Sequence, residues 1–196
     1  MTLTTLLPSL RRSIPDPIER RAWPEHTVAE VRDVTVAGVS LTRLAALEGT
    51  PCVMTGDLAH PHTQDARRRG IGMDVTVLVF CVTLLVDSQD GRRLALVDCT
   101  THDLPIQWEH CRLIGRASTA KTAMVDIVPG DVGAPMWPYN QAALPTDLVE
   151  GDLLAVPCTG ALALRDVKPR RAPQDAGTSP DAAAELDEDW AGRCGK

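Results

Sequence analysis

From Val75 to Val86 the chain reads VTVLVFCVTLLV. This run leaves no polar face for water and is rich in β-branched residues, so it predicts a central strand covered on both sides. It is far shorter than the roughly 20 apolar residues that a membrane-spanning helix needs. Asp87-Ser88-Gln89-Asp90-Gly91 follows with turn chemistry, and Leu94 to Val97 reads as the returning strand of a hairpin.

A strand of this kind needs others to cover it. Residues 27–39, TVAEVRDVTVAGV, alternate branched apolar and polar residues around Arg32-Asp33, which predicts a hairpin or two short strands. Residues 40–48, SLTRLAALE, predict a short helix with Ser40 as N-cap and Leu41, Leu44 and Leu47 on one face. Gly49 and Pro51 stop it. Residues 55–72 read as a loop or a weak helix. Met124 to Val128, Leu153 to Val156 and Ala161 to Leu164 read as strands, with a Pro/Gly-rich loop from Val128 to about Pro145. Many strands, few helices and no βαβ rhythm predict a mainly β protein, a β-barrel or sandwich with one or two short helices. The expected organisation is an N-terminal arm over 1–20, a single β-domain over 21–167 and a disordered acidic tail over 168–196. The tail buries too little to order itself.

Composition removes several function classes. Aromatic residues make up only 3% of the 196, which argues against a stacking surface for single-stranded nucleic acid. A net charge of −6 argues against non-specific binding to the phosphate backbone. Arg11 and Arg12 come after only a short apolar stretch, the reverse of a signal-peptide order. A cytoplasmic protein with no membrane or nucleic-acid partner is the expectation. The six cysteines (52, 81, 99, 111, 158, 194) include no CxxC pair, so they are expected to be reduced and mostly buried.

Two stretches resemble opposite ends of one enzyme family. WPEHTV and VTVAGVSLTRLAALEGTPCVM, near the start, resemble the N-terminal segment of diaminopimelate decarboxylases. These are alanine-racemase-like, fold type III (group IV) decarboxylases that use pyridoxal phosphate (PLP). VTVLVFCVTLLVDSQDGRRLALVDCTTHD and LVEGDLLAVPCTGAL resemble the same family's C-terminal β-domain, with Gly151, Asp152, Pro157, Thr159 and Gly160 kept in order. The resemblance covers roughly residues 22–56 and 74–165. It implies a β-domain fold in which the intervening (β/α)8 barrel is missing, with the deletion junction near 57–72. In the family that barrel carries the Schiff-base lysine and the glycine-rich phosphate loop. The only lysines here are Lys121, Lys168 and Lys196. The family's Cys-Glu-Ser-x-x-Asp motif aligns with residues 126–135, DIVPGDVGAP, where Asp131 is the one remnant acid, and its Tyr after TGA is Leu162. The resemblance therefore implies no PLP and no decarboxylase activity, and an exposed apolar face suited to a homodimer.

Four clusters are candidates for chemistry. Cys99-Thr100-Thr101-His102-Asp103 is the densest. A Cys-His pair can activate a thiolate, and a His-Asp pair can fix an imidazole tautomer. Neighbours in a strand point to opposite faces, so the competing reading is a turn with capping polar groups. Met136-Trp137-Pro138-Tyr139-Asn140 holds two of the few aromatics in a Pro-rich loop, able to lid a pocket or simply to pin the loop down. Trp108-Glu109-His110-Cys111 reads as a solvated face with a possible acid or base. His60-Pro61-His62, with Asp57 and Asp65, lacks recognised ligand spacing, so no metal is expected.

The resulting expectation is a repurposed, cofactor-independent enzyme of specialised metabolism acting on a small organic substrate by cyclisation, isomerisation or dehydration. Its catalytic residues would be His102, Asp103 and Tyr139. Cys99, Met136, Trp137 and Asp131 would bind substrate. The alternative is a non-catalytic partner or regulatory subunit of a barrel-containing decarboxylase.

Overall fold

A computed structural model describes residues 2–58, 74–130 and 140–169. The protein is mainly β, a nearly closed barrel-like sheet with a few short helices. The described elements are α1 (Leu3–Leu6), a 3₁₀ turn (Pro8–Arg12), β1 (Thr27–Ala29), β2 (Val34–Val36), β3 (Val39–Ser40), α2 (Leu41–Glu48), β4 (Cys52–Asp57), β5 (Asp74–Asp87) and β6 (Arg93–Val97). They continue with a second 3₁₀ turn (Trp108–His110), β7 (Arg112–Ile114), β8 (Thr122–Val128), β9 (Asn140–Pro145), β10 (Leu153–Thr159) and α3 (Leu164–Val167). The main sheet runs β7-β10-β5-β6-β8-β9, with β4 also on β5. Its end strands, β7 and β9, come within 8 Å between Cα atoms, which nearly closes the barrel.

The fourteen-residue strand β5 is the spine of both layers. Its first half pairs with β4 and β10 and its second half with β6, all antiparallel. Leu78, Phe80 and Val82 point into the barrel. Val77 and Val79 point the other way, onto Trp23, Val34, Val36, Leu41 and Ala45 of the N-terminal layer. That is why the run carries no polar face: each side meets its own core. The register with β6 moves from Val82↔Val97 to Leu84↔Leu96, leaving Thr83 as an extra residue. This bulge flips the alternation, so Leu85 packs on the barrel core while Leu84 and Val86 turn outward.

The N-terminal layer is organised by Asp33. Its carboxylate accepts from Val34 N at 2.8 Å, Thr42 N at 3.1 Å, Thr42 Oγ1 at 2.9 Å and Ser40 Oγ. Ser40 caps α2 as expected, accepting from Arg43 N at 3.1 Å. The buried face of α2 is Leu41 with Ala45, and Leu44 in part; Leu47 is 76% exposed, contrary to the sequence reading. Replacing Asp33 with alanine strands donors from both the β1–β2 turn and α2. The expected loss is about 1–3 kcal/mol, read from the denaturant midpoint.

Other differences have simple causes. The N-terminal arm is docked: Arg11, 8% exposed, donates from Nη1 to Ala120 O at 3.1 Å, and α1 adds a helical turn. Ala161 to Leu164 was read as a strand. Instead Gly160, at φ 88°, turns the chain out of β10 into α3, where Asp166 Oδ2 accepts from Ala163 N at 2.8 Å. β4, β7 and β9 escape local patterning because they are short or mostly polar outward. Residues 170–196 of the expected tail over 168–196, and most of the junction near 57–72, lie outside the described residues.

Candidate functional site

β6 and β8 pair in parallel, with Leu94↔Asp126, Ala95↔Ile127 and Leu96↔Val128. Parallel pairing brings both C-terminal ends to one end of the barrel. The segment after Val97 and the segment after Val128 therefore leave the sheet side by side. They touch where Gly130 N donates to Cys99 O at 3.1 Å. A side chain at Gly130 would place its Cβ 2.7 Å from Val97 O, so only glycine permits this approach.

The 98–103 segment is held from several directions. Asp98 Oδ1 accepts from Cys81 N at 2.8 Å, and Thr100 N donates to Val167 O of α3 at 2.9 Å. Asp103 adopts a left-handed φ of 57°, which turns the chain back toward β10. There Thr159 N donates to Pro105 O at 3.0 Å and Gln107 N to Pro157 O at 2.9 Å. On this turn His102 Nε2 lies 3.1 Å from Asp103 Oδ2, with side chains 61% and 86% exposed. The two adjacent residues meet because they sit in a turn and not in a strand.

The Cys99 side chain is buried in the barrel core, and its backbone carbonyl accepts from Gly130 N. Asp131, Met136, Trp137 and Tyr139 lie outside the described residues, as do His60, His62 and Asp65. Glu109 is exposed, with Oε1 4.0 Å from His110 Nε2. Lys168, expected at the start of the tail, follows Val167, whose carbonyl holds Thr100, so it lies just after α3 beside the same rim.

Cys52, Cys111 and Cys158 are buried free thiols. Burial pushes the Cys111 and Cys158 thiols from 9.0 up to about 12, and Cys52 up to about 11. Thiolate is the nucleophile, so these groups are inert near neutrality. Folded thiols hold protons that the unfolded chain releases above pH 9.0, so stability falls as pH climbs from 9.0 toward about 12. A denaturant midpoint that drops over this window, with little labelling of Cys52, Cys111 and Cys158 in the folded protein at pH 7, is the expected result. Among the described residues, no group of three or more His, Cys, Asp or Glu is arranged to hold a metal. No described helix is long and apolar enough to cross a membrane.

No protein-family model and no curated protein matches the chain. Among solved structures it is similar to AQ1208 from Aquifex aeolicus, at 20% identity with a TM-score of 0.32. That match covers 41% of this chain and 21% of AQ1208.

Proposed function

We propose that the protein is a cofactor-independent enzyme acting on a small organic substrate at the barrel end where β6 and β8 terminate. The reading rests on the contact between Cys99 O and Gly130 N, which starts the 98–103 and 131–139 segments from one point. His102 is its general acid/base, with Asp103 orienting the ring. In this reading Tyr139 is assigned as a hydrogen-bond donor, and Asp131, Met136 and Trp137 as substrate-binding residues. Such a site works by holding a near-attack conformer beside one or two proton-transfer groups. Cyclisation, isomerisation and dehydration are the reaction classes within its reach, all suited to a barrel-less relative of decarboxylases repurposed for specialised metabolism in the cytoplasm.

The reading uses no pyridoxal phosphate. Lys121 precedes β8 and so stands at the opposite end of the barrel from the 98–103 segment. Lys168 is exposed on the rim, and the glycine-rich phosphate loop belongs to the missing barrel. The same reading makes the protein a homodimer, since Leu84, Val86 and Met124 present 43%, 42% and 56% of their surface to water.

The test is a panel of small carbonyl and carboxylic fragments titrated into protein carrying ¹³C-labelled His and Trp. Fragments that shift both His102 and Trp137, and lose that effect in His102→Ala, support the reading. Fragments that bind while leaving His102 and Trp137 unmoved contradict it.

A further inference from the structure

The N-terminal layer covers only the first half of β5, where Val77 and Val79 lie beneath it. Past the bulge at Thr83 the outer side of the sheet opens to water. Leu84 and Val86 of β5 are exposed there, and so is Met124 of β8. The strand register joins them. Leu84 stands opposite Leu96, and Leu96 opposite Val128, in one row across β5, β6 and β8. The next row runs Val86, Leu94, Asp126 and Gln141. Met124, opposite Ala143 of β9, stands beyond Asp126 on the same side. Ala95, Val97, Val125 and Ile127 fill the barrel on the other side.

A sheet solvated on one side ordinarily alternates apolar-in with polar-out. Here the outward rows are apolar apart from Asp126 and Gln141. The Asp126 carboxylate is only 2% exposed, since it accepts from Arg92 Nε at 2.9 Å and from Gln141 Nε2 at 2.7 Å. Four strands about 4.8 Å apart, with about five residues of each at about 3.3 Å, span on the order of 300 Å². Contiguous apolar patches of this size mark interaction surfaces. A stable dimer takes about 800 Å² of accessible surface from each partner, with a polar rim around an apolar centre. The rows supply the centre, and Asp87, Arg93, Thr122 and Gln141 supply the rim.

The chain carries a net charge of −6, so two copies repel unless they meet where charge is balanced. On this face each guanidinium has its carboxylate. Arg92 pairs with Asp126, and with Asp90 at 3.9 Å, while Arg93 pairs with Asp87 at 3.4 Å. A strongly charged partner therefore finds no field of one sign here. A second sheet of the same twist does fit, because aligned sheets pack about 10 Å apart with their side chains interdigitated.

We propose that this face of β5, β6, β8 and β9 is the contact between two copies of the chain, packed sheet on sheet about a two-fold axis. The contact rests on the homodimer reading above and gives it a surface, independently of the catalytic residues. The row of Leu84, Leu96 and Val128 lies at the barrel end where β6 and β8 terminate, so the second copy sits beside the rim of the candidate site.

Sedimentation of the full chain from low to high micromolar concentration gives the dimer constant. Isotope-filtered Overhauser spectra of mixed labelled and unlabelled protein report contacts between copies. A dimer is expected, with contacts from the Met124 methyl of one copy to Leu84, Val86, Leu94, Leu96 or Val128 of the other. Leu84→Glu and Met124→Glu each bury an unpaired charge on both copies and should weaken the dimer about a hundredfold or more. Leu47→Glu, on the exposed side of α2, should leave it unchanged. A monomer at every concentration overturns both the proposed contact and the homodimer reading. A dimer that survives both face variants, that Leu47→Glu dissociates equally, or whose contacts lie elsewhere overturns the proposed face alone. A Met124 methyl contact to Trp190 of the same chain, with none between copies, assigns the face to the C-terminal tail and overturns it too. Should the glutamate variants fail to fold, the wild-type spectra decide.

Discussion

Replacing His102 with alanine should lower turnover about 10²–10⁴-fold, the usual consequence of deleting a general acid or base. The unfolding midpoint should stay where it is, because the side chain is 61% exposed and its one ion-pair partner is the exposed Asp103. This separation between activity and stability makes the test clean. Asp103→Asn should produce a smaller loss, since it removes the group that orients the ring but leaves the ring in place. It should also change the pH–rate profile, which a merely structural residue would not do. Tyr139→Phe should reduce turnover without unfolding the protein. Unchanged product formation in all three variants would leave pocket shape alone as the catalyst.

Phe80→Ala should be the most destabilising single change in the barrel, at about 3–5 kcal/mol. Phe80 is fully buried, lies opposite Leu154 of β10, and meets the Trp108 ring edge-on with centroids 6.2 Å apart and planes at 76°. Truncation removes the apolar transfer energy and opens a cavity that surrounding strands fill only in part, because close-packed interiors relax little. A domain of this kind is held by only about 5–15 kcal/mol, so the loss is a large share of the whole. The denaturant midpoint should fall with an unchanged slope, and Trp108 emission should shift as its packing partner disappears. Phe80→Leu fills most of the volume and should retain most of the stability.

What was legible in the chain followed from local chemistry. The uniform apolar run of β5 announced a strand covered on both faces, and Ser40 with Gly49 bracketed α2. The hairpin at Asp87–Gly91 was visible in its turn residues. What escaped was set by distant partners. Leu47 has helical spacing like Leu41, but β4 and β5 reach only the Leu41–Ala45 side of α2. The short strands β7 and β9 are defined by their partners β10 and β8 and not by a pattern of their own. Likewise His102 and Asp103 were legible as a pair by adjacency, but their meeting depends on the positive φ at Asp103. Arg11 and Arg112 line one cavity from segments far apart in the chain, and no spacing rule connects them.

The most direct measurement is a proton–proton Overhauser spectrum of the full chain with labelled His, Trp and Tyr, recorded with a bound fragment. Cross-peaks from the His102 imidazole to the Tyr139 or Trp137 ring would place the two segments around one site, as the Cys99–Gly130 contact predicts. A fully assigned spectrum in which His102 sees only its own turn, with Trp137 and Tyr139 packed elsewhere, would contradict it.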